Sequence, residues 1–367
     1  MNTSRSTEQS TLSAPRLEVL AEHRLDRGAV ASVVTAAAAQ LGGRWLNVAA
    51  RLSRVVAAAE LAAGHDVQVI AYPETYLSGY PYWLSRTNGA AFGDPRQKEA
   101  YAYYLDAAVE VDGPEVRVMT QLATDLNLTL VVGLTERGRG SARGSTYCTL
   151  VTIAPRQGLV GHHRKLVPTY DERLVWANGD GAGLLSHPVG CGRIGSLNCW
   201  ENWMPQARHA MYAAGEDVHI GVWPGSADLT RDITRFTALE GRVFSLAVGG
   251  LLSRDDVPDD FPLAAELSAD VDQMPFDGGS AVAAPDGRWI VEPVVGREGL
   301  VIADLDLREV DRERFTFDPT GHYSRPDVFS TVVDRARRSA VSFRDAPPVP
   351  ASVASGPESA TKQSPNS

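Results

Sequence analysis

Three residues of this 367-residue chain combine reactive side chains with a place at the close of an apolar run. Glu74 ends "VIAYPE", Lys165 ends "GHHRK" and Cys199 ends "RIGSLNC". A thiol is a strong nucleophile once it is a thiolate. At a strand-to-helix junction, the amides of a helix N-terminus favour that anion. A neighbouring lysine favours it further and donates to negative charge developing on the attacked group. A partly buried carboxylate such as Glu74 shuttles protons as base and then acid. The backbone N–H of Trp200 is a candidate second donor. Taken alone, Cys199 is equally readable as a small buried hydrophobe.

Other residues invite chemistry more weakly. Cys148 and Cys191 lack such surroundings and read as structural, and three cysteines without C-x-x-C spacing make neither a disulfide framework nor a zinc site. His162 and His163 raise a Cys–His dyad or a metal site. Neighbours on a strand point to opposite faces, however, so the pair cannot share one ion. "GDGAG" (179–183) reads as a turn rather than a phosphate loop. Tyr76, Tyr80, Tyr82, Trp83, Trp200, Trp203 and Trp223 are packing residues by default. Trp200, Trp223 and Tyr80 are the expected substrate-lining members of that set.

The elements that must carry these residues alternate along the chain. Strands are expected at 28–36, 67–74, 128–136, 145–154, 158–165, 193–199, 217–225 and in "VFSLAVGG". Helices are expected at 47–64, 114–127, 203–215 and 230–242, and a hairpin turns at Pro-Asp-Gly in "SAVAAPDGRWIVEP". This alternation predicts an α/β protein whose apolar sheets stack on each other and carry helices outside. Catalytic groups in such folds collect beyond the carboxyl ends of strands. Residues 1–27 read as an extension, 28–335 as one catalytic domain, and 336–367 as a disordered tail rich in Pro, Ser and Ala. The acidic stretch 254–277 reads as a surface excursion or an oligomer contact.

Composition narrows the function. The chain is 44% hydrophobic and 22% charged, with a formal net charge of −10. An acidic balance argues against general nucleic-acid binding. The apolar stretches are too short for a membrane span. The first residues lack the apolar core of a secretory signal, so a reducing cytoplasm is the expected setting.

The segments "AYPETYLSGYPYW" (71–83), "HRKLVPTYDERLVWANGDG" (163–181) and "GRIGSLNCWENWMPQAR" (192–208) resemble the nitrilase branch of the carbon–nitrogen hydrolase superfamily. "GLTERG" (133–138), "VWPG" (222–225), "TRFTALEGRVFSL" (234–246) and "GHYSRPDVFS" (321–330) extend the likeness over roughly 28–330. The resemblance implies a four-layer α-β-β-α sandwich, with a triad of Glu74 (proton acceptor), Lys165 (proton donor and anion stabiliser) and Cys199 (nucleophile). It places a second, auxiliary glutamate at Glu136. It implies no metal and no cofactor, a small nitrile as substrate, and a homo-oligomer built from dimers, in some members a spiral. "C-W-E" after Asn198 is similar to nitrilases proper rather than amidase branches. "KLVPTYDERLVW" departs from a common Lys-Pro-Thr at Val167, Tyr170 and Asp171, which bears on specificity. The competing functions are a cyanide hydratase or dihydratase, an amidase with the same triad, a catalytically silent oligomeric scaffold, and a thiol hydrolase using His162 or His163.

Overall fold

Strands that are apolar on both faces need a cover on each side. The computed structural model describes residues 17–337 except 27, 29–31 and 270–271, and also residue 341. One sheet contains β1 (Glu18–His23), β2 (Val33–Gln40), β3 (Val69–Ala71), β4 (Thr129–Arg137), β5 (Thr146–Ala154) and β6 (Gly158–Arg164). The second contains β7 (His187–Val189), β8 (Gly192–Asn198), β9 (Val218–Trp223), β10 (Phe244–Gly249), β11 (Leu251–Leu252), β12 (Phe276–Ala283) and β13 (Trp289–Val295). A last strand, β14 (Gly299–Asp306), returns to the first sheet, which runs β1-β14-β2-β3-β4-β5-β6. The second runs β11-β12-β10-β9-β8-β7, with β13 paired to β12.

The helices are α1 (Val48–Ala63), α2 (Trp83–Arg86), α3 (Pro95–Asp106), α4 (Pro114–Leu126), α5 (Pro205–Ala213), α6 (Ala227–Gly241), α7 (Ala264–Ser268) and α8 (Arg308–Arg314). Strand alternation sorts the core into layers. Ala36, Ala38, Val69, Ala71, Val131 and Leu150 of the first sheet meet Ile194, Val218, Ile220, Val222 and Leu246 of the second. The alternate residues Ala37, Ala39, Ile70, Val132 and Leu134 face Val55, Ala58 and Ala62 of α1 and Val116 and Met119 of α4. Helices α5 and α6 cover the outside of the second sheet. The arrangement is an α-β-β-α sandwich.

Local signals explain several boundaries. Asn47 caps α1, its Oδ1 accepting from Ala50 N–H at 3.0 Å. Asn127 closes α4 in the left-handed conformation, φ 50°. Three expectations change. Residues 18–23 are no loose extension but a strand parallel to β14. The strand expected at 28–36 lies at 33–40, antiparallel to β14 and parallel to β3. The acidic stretch 254–277 is not a plain surface excursion, since Val257, Phe261, Leu263 and Leu267 are buried against Trp45 and Trp83. The tail expected at 336–367 lies outside the described residues apart from 336, 337 and 341.

Candidate active site

Three chain crossings deliver the site. Glu74 follows β3 in a tight turn, with its N–H on the Trp223 carbonyl at 3.3 Å. That turn lies against β4 because residue 133 is glycine: a Cβ there would sit 2.1 Å from the Pro73 oxygen. Lys165 leaves β6, its N–H on the Cys148 carbonyl at 2.8 Å. Cys199 opens a 3-10 turn (Cys199–Trp203) directly after β8 and adopts a left-handed φ of 47°. A non-glycine residue held there needs support from its surroundings.

The side chains converge. Lys165 Nζ donates to Glu74 Oε1 at 2.9 Å and to Glu172 Oε2 at 2.7 Å. The donor atoms of Glu74, Glu172 and Cys199 all lie within 4.8 Å of one another, and all four residues are buried. Trp200 N–H is directed at the Cys199 sulfur. Those three donor atoms are a set in which a cation fits, but the Lys165 ammonium already supplies the positive charge between both carboxylates.

Burial governs the titration. Two carboxylates share one ammonium. Desolvation pushes Glu74 up to about 7, Lys165 opposes the shift, and the Glu172 charge adds to it. Burial pulls Lys165 down, but Glu74, Cys199 and Glu172 outweigh it and hold the ammonium well above its ordinary range. Desolvation and the Glu74 charge raise the Cys199 thiol, against Lys165 and the Trp200 amide. The expected stabilised thiolate is thus replaced by a protonated thiol beside a carboxylate that titrates near neutrality.

Glu136 lies elsewhere. It shares the helix-facing side of β4 with Leu134 and Val132, whereas Cys148 and Leu150 face the other sheet. Its carboxylate accepts from Thr149 at 2.7 Å, from His162 at 2.8 Å and from Arg164. Burial raises Glu136, but the His162 and Arg164 hydrogen bonds prevail and hold it at about 2. The second carboxylate at the centre is Glu172, seven residues beyond Lys165. It also accepts from Tyr80 Oη at 2.8 Å and from Thr169 N–H at 2.6 Å. Its place in "PTYDERL" was open to reading, but a carboxylate in a polar loop carries no periodic signal.

Cys148 is buried, as a structural cysteine should be, yet its Sγ donates to Glu74 Oε1 at 3.3 Å. Cys191 is exposed rather than packed. His162 and His163 point to opposite sides: His162 meets Glu136, while His163 Nε2 lies 2.9 Å from Glu201 Oε2. Glu201 in turn accepts from Asn198 N–H at 3.0 Å and Leu166 N–H at 2.8 Å, tying the Cys199 turn to the Lys165 strand.

Among the expected lining residues, Tyr80 reaches the site through Glu172, and its ring packs edge-on against Trp176 and Phe276. Trp223 is buried in one cluster with Cys199, Ala247 and Ala281. The Trp200 side chain is 44% exposed and stacks on Trp203 with centroids 6.0 Å apart, outside the buried cluster that holds Cys199 and Trp223. A cavity of about 20 Å³ touches Glu74, Tyr80, Pro224 and Phe276, room for about one water.

Two stacked sheets between helices hold an acid, an ammonium and a thiol together, the groups that a hydrolase working by covalent catalysis needs. Residues 35–315 match the carbon-nitrogen hydrolase family, and the chain belongs to it. It is 37% identical to nitrilase blr3397 of Bradyrhizobium diazoefficiens, over 79% of this chain and 88% of that one. It is 35% identical to the bifunctional nitrilase/nitrile hydratase NIT4 of Oryza sativa, over 89% and 92%. XC1258 of Xanthomonas campestris, a CN-hydrolase superfamily protein solved with an arsenic adduct in its active site, has the same fold (TM-score 0.60, 20% identity, 83% of this chain and 100% of that one).

Proposed function

We propose that this protein is a nitrilase, converting an organic nitrile and two waters to a carboxylic acid and ammonia. The observation that carries the reading is the convergence of the Glu74, Glu172 and Cys199 donor atoms around Lys165. Cys199 attacks the nitrile carbon as its proton passes to Glu74, and that proton goes on to the nitrile nitrogen, giving a thioimidate. Glu74 then takes a proton from water as it adds. Lys165 and Trp200 N–H face the charge that develops in the tetrahedral species. Glu74 delivers that proton and then the proton of the new hydroxyl to the nitrogen, ammonia leaves as the thioester carbonyl forms, and a second water hydrolyses the thioester, returning acid and thiol. If the tetrahedral species expels the thiol first, the product is the amide, which accords with the second activity in the name of the rice relative.

Glu172 holds the ammonium in this scheme, and Tyr80 and Trp223 line the approach. The Trp200–Trp203 stack and the outward Leu229, Phe236 and Leu239 of α6 are exposed apolar side chains that pairing of two copies would cover. No described helix is long and apolar enough to cross a membrane. The three cysteines are unpaired, which suits the cytoplasm.

Ammonia release from a panel of aliphatic, aromatic and arylacetonitriles tests the activity, and product analysis separates acid from amide. Cys199→Ala is expected to abolish turnover while keeping the fold, and mass spectrometry of the trapped acyl-enzyme should place the adduct on Cys199. An active Cys199→Ala variant refutes the covalent route. Activity on amides alone makes the protein an amidase.

A further inference from the structure

Three buried polar residues outside the triad form an unbroken chain that ends on the nucleophile's own backbone. Glu216 Oε1 lies 2.8 Å from His219 Nδ1, and His219 Nε2 lies 2.8 Å from Asn202 Oδ1. Asn202 Nδ2 donates to the Cys199 carbonyl at 2.8 Å and to the Leu197 carbonyl at 3.3 Å. All three residues are at most 2% exposed. Burial on this scale is costly unless the groups are paired.

The hydrogen-bond logic orders the chain. Two carbonyl acceptors fix the amide nitrogen of Asn202, so its Oδ1 must face His219. Nε2 therefore carries a hydrogen and donates, and one proton lies between Nδ1 and the Glu216 carboxyl. The backbone makes room for this assembly. A Cβ at Gly195 would sit 1.8 Å from Glu216 Oε2, and one at Gly221 would sit 3.1 Å from Asn202 Oδ1. His219 and Gly195 are register partners on β9 and β8. His219 alternates with Val218 and Ile220, which fill the core between the sheets, so the chain lies under the helices outside the second sheet.

The consequence concerns the peptide plane between Cys199 and Trp200. In a planar trans peptide the C=O and the following N–H point in opposite directions. Pulling the Cys199 carbonyl toward Asn202 turns Trp200 N–H the other way, to the sulfur and the reacting group. We propose that Glu216, His219 and Asn202 are positioning residues that hold this plane, so that Trp200 N–H faces the negative charge formed in the reaction. The proposal rests on the nitrilase reading above. A hydrogen bond weakens steeply as its angle falls, so rotation of the plane costs the transition state more than bound substrate.

Steady-state kinetics on the best nitrile of the panel test this. Asn202→Ala should lower kcat by about 10²-fold, the scale of losing one oxyanion donor, with KM changed less than about threefold. His219→Leu should act in the same direction, and His219→Gln, whose amide can still donate to Asn202, should recover most of the loss. The double variant Asn202→Ala/His219→Leu should be no slower than Asn202→Ala within about twofold, as expected of residues acting as one unit. Multiplying losses, a loss confined to KM, or a His219→Gln variant as slow as His219→Leu overturns the proposal. If Asn202→Ala does not fold, the His219→Leu and His219→Gln pair decides the matter alone. A wild-type protein inactive on every nitrile refutes the nitrilase reading instead, whereas an active wild type with an unimpaired Asn202→Ala refutes only the positioning role.

Discussion

Glu172 Oε2 stands 2.7 Å from Lys165 Nζ, closer than the 2.9 Å between that ammonium and Glu74 Oε1. Lys165 is thus held by two carboxylates, and in the proposed mechanism Glu172 keeps the ammonium in place while Glu74 exchanges a proton. Glu172→Gln keeps the shape but removes the charge. It is expected to lower kcat about tenfold or more by loosening the ammonium. Glu136→Gln, on the other face of β4, is expected to leave kcat within about threefold. Ammonia-release kinetics on both variants check the pair of statements. The reverse ranking would put the auxiliary carboxylate back at Glu136.

Glu74 must be ionised to accept the Cys199 proton. With burial raising it to about 7, kcat/KM should rise with pH through that region rather than near the ordinary carboxylate value of 4.5. A pH–rate profile measures this directly. A profile already flat from about pH 5 upward would mean that a different group limits the free enzyme.

The two buried glutamates should act on stability with opposite sign. Folded Glu74 binds its proton more tightly than the unfolded chain does, so its contribution falls as pH rises from 4.5 to about 7. Relative to wild type, Glu74→Gln should therefore gain stability across that window. Glu136 is held at about 2, so its contribution is present above 4.5 and is lost as pH falls toward 2. Glu136→Gln should cost on the order of 2 kcal/mol near neutrality, and the deficit should shrink in acid. Urea unfolding of both variants against wild type at several pH values reads the two slopes.

The exposed Trp200 ring stacks on Trp203, away from the buried cluster that holds Cys199 and Trp223. Trp200→Ala should change kcat/KM by less than about threefold per subunit but weaken self-association, read by light scattering. Tyr80→Phe leaves a buried Glu172 oxygen without its donor and should lower kcat about tenfold. A large kcat/KM loss in Trp200→Ala with unchanged assembly would return that ring to the substrate pocket.

Much of this was readable in the chain. Glu74, Lys165 and Cys199 each follow an apolar run, and strand ends are where a stacked-sheet fold gathers its polar groups. The Ala-Leu-Val pattern of 47–64 announced α1, and the structure adds that Asn47 is its cap. Glu172 escaped because its neighbours Tyr170, Asp171 and Arg173 are as polar as it is. Only the return of that loop over Lys165 singles it out. The resemblance placed the second glutamate at Glu136 through "GLTERG", and that motif does not say which face of the strand the residue occupies. One residue of register separates the face toward the other sheet from the face toward α1 and α4.

The family resemblance proposed Glu74, Lys165 and Cys199 as a triad, and local pattern by itself determined much of the succession of strands and helices and the apolar faces that force two sheets together. These follow from periodicity and side-chain chemistry, which act over a few residues. Tertiary structure alone decided which second carboxylate meets Lys165, that burial leaves the thiol protonated beside a Glu74 titrating near 7, and that the alanines of β2 form a central strand despite their helical preference. Such outcomes depend on desolvation and on contacts between residues about a hundred positions apart in the chain, such as Glu74 and Lys165. Those terms exist only after the layers close.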